Sequence, residues 1–98
     1  MAGKSSYKRI ESSVKTLQLL DYLMRQKDAL TAKEIEAGFG MAMGTLMTHL
    51  KTLEDEGWIE PIREHYRISM KMAIGWARKK SQLESEIEKK QNELSSIT

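Results

Sequence analysis

Residues 30–59, LTAKEIEAGFGMAMGTLMTHLKTLEDEGWI, decide the fold of this 98-residue chain. The segment opens on Leu30-Thr31-Ala32-Lys33-Glu34. Thr31 is placed to accept from the backbone N–H of Glu34, whose carboxylate reaches back to the cap, so the five residues read as a capping box. Ile35 and Phe39, four apart, set the inward face of a short helix, and Gly38 with Gly40 ends it in a turn. The Gly-x-Gly is too short for a dinucleotide loop, and no Lys-Ser/Thr follows it. From about Ala42 to Glu56 a longer helix is expected. Its Leu46, Leu50 and Leu53 fall at the i, i+4, i+7 spacing of one buried stripe, and Gly57 supplies its C′ position. A short capped helix, a glycine-flanked turn and a longer amphipathic helix form the core of a helix-turn-helix. The second helix of such a unit usually enters the DNA major groove.

On the N-terminal side, residues 1–11 read as a flexible basic arm or the start of a helix, with Lys8 and Arg9 as the cations that could reach a phosphate. Ile10, Val14, Leu17, Leu20, Leu23 and Met24 then recur at helical spacing. Ser12 or Ser13, or a residue nearer Ser6, is the expected cap, with residues 14–26 as the secure part of the helix. On the C-terminal side, residues 58–62 and 65–69 read as two short strands of a half-solvated hairpin, with Pro61 demanding an edge position. Trp58 and Tyr66 are expected to pin it to the helices. His49 lies beside the leucine stripe, and a lone histidine there is more often a hydrogen-bonded, partly buried residue than a metal ligand. His65 shares no ligand spacing with it.

From about Met70 to the end the pattern is helical. Positions spaced by four and three give Trp76, Lys80, Leu83, Ile87, Lys90, Leu94 and Ile97, a coiled-coil seam interrupted by two lysines. A helix of roughly 25 residues is about 38 Å long, more than so small a domain could cover. Dimerisation through Trp76, Leu83, Ile87, Leu94 and Ile97 is therefore preferred over a helix folded back on its own domain. Gly75 costs this helix about 1 kcal/mol relative to alanine. The expected fold is mainly α (α+β): a winged helix-turn-helix over 12–69 with a two-stranded wing, and a long C-terminal helix over 70–98.

The net charge is only +2, and its distribution says more. Residues 1–27 carry +4, residues 28–60 carry −5, residues 61–80 carry +5 and residues 81–98 carry −2. Two basic segments flank an acidic middle, which is either a solvated surface or an arm and a wing that meet phosphates on both sides of a reading head. The absence of cysteine excludes disulfides and thiolate metal sites. The N-terminus has no apolar signal-peptide core, and no apolar run approaches the roughly 20 residues that span a bilayer. The expectation is a cytoplasmic protein without a membrane segment. No nucleophile–base pair, carboxylate pair or metal spacing points to an enzyme, and no cofactor or metal is expected.

Between Ser12 and Ser69 the chain resembles the N-terminal winged helix-turn-helix of the IclR-type transcriptional regulators. The likeness runs over Val14-Lys15-Thr16-Leu17-Gln18-Leu19-Leu20-Asp21-Tyr22-Leu23. It continues through Leu30-Thr31, Glu34-Ile35, Gly40, Thr45-Leu46, Leu50, Thr52-Leu53-Glu54, Gly57 and Tyr66-Arg67-Ile68. The resemblance implies double-stranded DNA as partner, read by a homodimer. No counterpart of that family's effector domain follows, so ligand sensing is not implied. At the turn and the start of the reading helix, where the family typically carries a proline, a basic residue, a serine, a threonine and a His-Arg pair, this chain has Ala42, Met43, Gly44, Thr45, Met47 and Thr48. Only Thr45 is kept. The missing donors are those that grip phosphate and read guanine edges. The candidate DNA-contacting residues are accordingly Lys33, Met43, Gly44, Thr45, Met47, Thr48, Lys51, Arg63 and Arg67. An opposing reading takes Met41, Met43 and Met47 with Ala42 as an adaptable apolar surface for a protein partner, ringed by Glu34, Glu36, Asp55 and Glu56. A third takes the methionines as filling for the core of a short turn.

Overall fold

The computed structural model describes residues 6–97. In chain order the elements are α1 (Glu11–Met24), β1 (Leu30–Thr31), α2 (Ala32–Phe39), α3 (Met43–Asp55), β2 (Ile59–Ile62), β3 (His65–Ile68) and α4 (Met70–Ile97). The chain divides into two compact units at the Ile68–Ser69 junction.

The first unit is a winged helix-turn-helix. α2 starts on the expected capping box: Thr31 Oγ1 accepts the Glu34 N–H at 3.2 Å, and the Glu34 carboxylate accepts the Thr31 N–H at 2.8 Å. That backbone donor, with the Thr31 hydroxyl acting in the same direction, holds the Glu34 carboxyl below its ordinary value. Gly40 closes α2 at φ 88°, a left-handed conformation that costs glycine nothing. Gly38, expected to share in the turn, instead lies within α2. At the far end of α3, Trp58 N–H donates to the Leu53 carbonyl at 2.9 Å and Gly57 N–H to the Glu54 carbonyl at 3.0 Å. These two bonds are a Schellman ending.

Leu46, Leu50 and Leu53 are buried as their spacing requires, together with Leu19, Leu20, Leu23, Ile35, Met41 and Ile59. Each such side chain contributes about 1.5–3 kcal/mol on leaving water. Two expectations about this core are corrected. The inward face of α1 is Leu19, Leu20 and Leu23, whereas Leu17 is 64% exposed and Ile10 66% exposed. Trp58 does not anchor the hairpin; it is 43% exposed, and the half-buried Tyr66 and Ile68 pack on the core instead. The start of α1 also differs. Ile10 occupies the N-cap without a side-chain bond, and the serines at 12 and 13 already lie in the first turn.

The wing is larger than the expected two strands. β2 and β3 form the antiparallel hairpin with Ile59 opposite Ile68 and Ile62 opposite His65. β1 then adds antiparallel to the other side of β3, with Leu30 opposite Tyr66, giving a three-stranded sheet in the order β1-β3-β2. β2 is therefore an edge, where Pro61 withdraws no needed donor.

The second unit is α4, a helix of 28 residues, about 42 Å long at 1.5 Å per residue. Ser69 Oγ accepts the Met72 N–H at 3.3 Å in its first turn. Of the expected seam, Trp76 is 57% exposed, Leu83 42%, Ile87 57% and Leu94 66%; the Ile97 side chain lies outside the described ones.

Gly38 supplies a test of the packing between α1 and α2. A Cβ added there would meet the Tyr22 hydroxyl and sit 3.2 Å from Tyr22 Cζ. The Tyr22 ring is itself held against Phe39, with centroids 5.4 Å apart. Gly→Ala in a free helix interior gains about 1 kcal/mol. Gly38→Ala is expected to lower the urea midpoint instead, and to cost much less in a Tyr22→Phe background that removes the hydroxyl, as a double-mutant cycle would measure.

Candidate nucleic-acid interface

The buried leucine stripe fixes which side of α3 faces solvent. Gly44, Thr45, Met47, Thr48, Lys51 and Thr52 are all exposed on it. At the edge nearest α1, half-buried His49 bridges the two helices, its Nδ1 lying 2.6 Å from Thr16 Oγ1. Thr16 Oγ1 also lies 3.0 Å from the Ser12 carbonyl of its own helix, and the direction of the Thr16–His49 bond follows the His49 tautomer. The bond locks the rotation of α3 on α1, as expected of a structural histidine. Among the described residues no cluster of three or more His, Cys, Asp or Glu could hold a metal ion.

Most of the hydrogen bonding on the exposed face turns inward. Thr48 Oγ1 donates to the Gly44 carbonyl at 3.3 Å, and Thr52 Oγ1 donates to the Thr48 carbonyl at 3.0 Å. Lys51 Nζ lies 3.0 Å from an Asp55 carboxylate oxygen one turn on, which raises the lysine pKa.

The methionines divide. Met41 is a core residue and Met43 is half-buried against the same core, so the three methionines do not form one exposed face. Only Met47 of the three stands exposed on α3, at 41%. Ala42, the fourth residue of that apolar surface, is also exposed.

The N-terminus of α3 is open. Ala42 is its N-cap with no side-chain bond, and its first turn contains no acid. Its free N–H groups and the positive end of the helix dipole therefore face outward. A cleft of about 370 Å³ lies there, with Lys15 and Gln18 of α1 on one side and Ala42 and Thr45 on the other. Sequence reading missed Lys15 and Gln18. Only their helical spacing on α1, three apart, offered a signal.

The remaining candidates sit on other elements. Lys33 is exposed in the first turn of α2. Arg67 on β3 stands opposite Glu60 on β2, its Nε 3.0 Å from the carboxylate. Arg63 is the first of the two loop residues between Ile62 and His65, at φ 59°. Two-residue hairpin turns of that kind normally give this position to glycine.

The family model of the IclR helix-turn-helix domain matches residues 12–62, just over half of the chain. The chain belongs to the IclR helix-turn-helix family. No curated protein and no solved structure matches it. At the level of the family, this domain is the DNA-binding part of a transcription regulator, and α3 is the second helix of its helix-turn-helix. It is a regulatory rather than a catalytic domain. No helix among the described residues is long and apolar enough to cross a membrane.

Arg63 gives this IclR-type wing a signature that separates folding from binding. A non-glycine residue in the left-handed region costs about 1–2 kcal/mol. Arg63→Gly is therefore expected to raise the urea midpoint while weakening duplex DNA binding at low salt. A variant that binds as tightly as the parent would remove Arg63 from the interface.

Proposed function

We propose that the chain is a dimeric transcriptional regulator that reads duplex DNA through two copies of α3, placed in successive major grooves about 34 Å apart on a two-fold-related site. The observation that carries this reading is the arrangement around α3. The helix presents an uncapped N-terminus at a cleft lined by Lys15, and further exposed cations stand on α2 (Lys33) and on the β2–β3 hairpin (Arg63 and Arg67). Phosphates meet Lys15, the free N–H groups of the first turn of α3, and the wing arginines. Lys51 and Arg67 exchange their carboxylate partners for phosphate at little cost, because exposed ion pairs are worth about 0–1 kcal/mol. Two-fold symmetry comes from α4. Its seam of Trp76, Leu83, Ile87, Leu94 and Ile97 pairs with the same seam of a second copy. The domain limits follow: reading head over 12–69 and dimerising helix over 70–98. The overall basic balance, with a pI of about 8.9, suits a polyanionic partner such as DNA.

Two measurements test the two halves of this reading. Log K for duplex DNA should fall linearly with log salt with a slope near −0.9 per neutralised phosphate, and Lys15→Ala should flatten that slope by about 1. Undetectable binding at about 50 mM salt would refute DNA reading. Separately, Leu83→Gln with Ile87→Gln should convert a sedimenting dimer to monomers, and an unchanged mass would refute the α4 seam.

A further inference from the structure

We propose that α3 selects A·T base pairs through thymine methyl groups and base amino groups, and does not read guanine edges. This rests on α3 reading duplex DNA and specifies what it reads. Guanine offers the major groove two acceptors, N7 and O6, and is recognised by side chains with donors to spare. The exposed face of α3 has few. The protons of Thr48 and Thr52 go to carbonyls of their own helix, and the Lys51 ammonium, which goes to a phosphate when it leaves Asp55, leaves behind a carboxylate that opposes an acceptor-rich base edge. Gly44 and Met47 have no side-chain donor. Thr45 is the one hydroxyl of this face, among the described residues, that is not bonded back to the helix.

What the face does present outward is complementary to an A·T pair. A threonine whose hydroxyl donates inward keeps an oxygen lone pair and a γ-methyl facing the groove. The lone pair accepts from adenine N6–H, or from cytosine N4–H, and the methyl packs on the thymine C5-methyl. Thr48 and Thr52 repeat this four residues apart, Thr45 adds a γ-methyl three residues earlier, and exposed Met47 adds a pliable apolar contact. Gly44, with no atom within 4 Å of an added Cβ, opens a lane for a methyl to approach the helix backbone.

The test is selection by the full chain from a duplex library with a randomised centre, followed by replacement of each selected thymine with uracil. A·T-rich half-sites should emerge, and each uracil at a contacted position should weaken binding about fourfold, the effect of losing one buried methyl. Thr48→Arg, which restores a bidentate donor, should move selection toward guanine. Guanine-rich selected sites, uracil substitutions without effect, or a Thr48→Arg variant with unchanged preference would each overturn the proposal while leaving DNA binding intact. Failure to retain any duplex would instead refute the DNA-reading function itself.

Discussion

The burial of Leu46, Leu50 and Leu53 is the constraint on which the reading head depends. Three leucines at the i, i+4, i+7 spacing leave α3 one rotation in which all of them avoid water. Any other rotation would put Lys51 or a threonine into the core and a leucine into solvent, a loss of several kcal/mol in a domain too small to absorb it. The Thr16–His49 bond adds direction to that apolar preference, because a hydrogen bond tolerates misalignment far less than a hydrophobic contact does. Packing thus decides the chemistry of the opposite face. Once the stripe is buried, the donor-poor row of Gly44, Thr45, Thr48 and Thr52 must point outward.

The elements that could be read from sequence are those whose causes are local. The capping box, the left-handed Gly40, the leucine stripe and the Gly57 ending of α3 each depend on residues within a few positions of one another, and each stands where the spacing put it. The face of α1 was harder. Ile10, Leu17 and Met24 form one helical stripe and Leu19, Leu20 and Leu23 another, so periodicity alone is satisfied by both. Only the packing partners choose the second. β1 was illegible for a related reason. Two residues carry no alternation, and Leu30–Thr31 is a strand only because β3 pairs with it.

The interface was legible in outline and not in detail. The exposure of Gly44, Thr45, Thr48 and Lys51 followed from helix geometry. The fate of the methionines did not, since an unbranched flexible side chain fits core and surface alike; Met41 closes the turn from inside while Met47 stays out. Nor could sequence show that Lys51 faces Asp55 or that Arg67 faces Glu60, although the first pair has the i, i+4 spacing. The second exists because β2 and β3 place the two residues directly opposite each other, a register that no local pattern specifies.

These features bear on why the proposed regulator would need two heads. A bidentate arginine on guanine contributes about 1–3 kcal/mol of discrimination, and methyl packing with single hydrogen bonds contributes less per base. A single copy of such a helix would lean on phosphate contacts, which carry no sequence information and weaken with salt. Pairing through α4 changes that balance without any new contact. The second half-site is then met at an effective concentration set by the dimer, and joined binding exceeds either head alone by about 10²–10⁴. Small preferences at each base also multiply across the two-fold site. On this argument the proposed seam of Trp76, Leu83, Ile87 and Leu94 would belong to the recognition mechanism as much as α3 does: the proposed methyl-directed reading would become selective when performed twice at a fixed spacing.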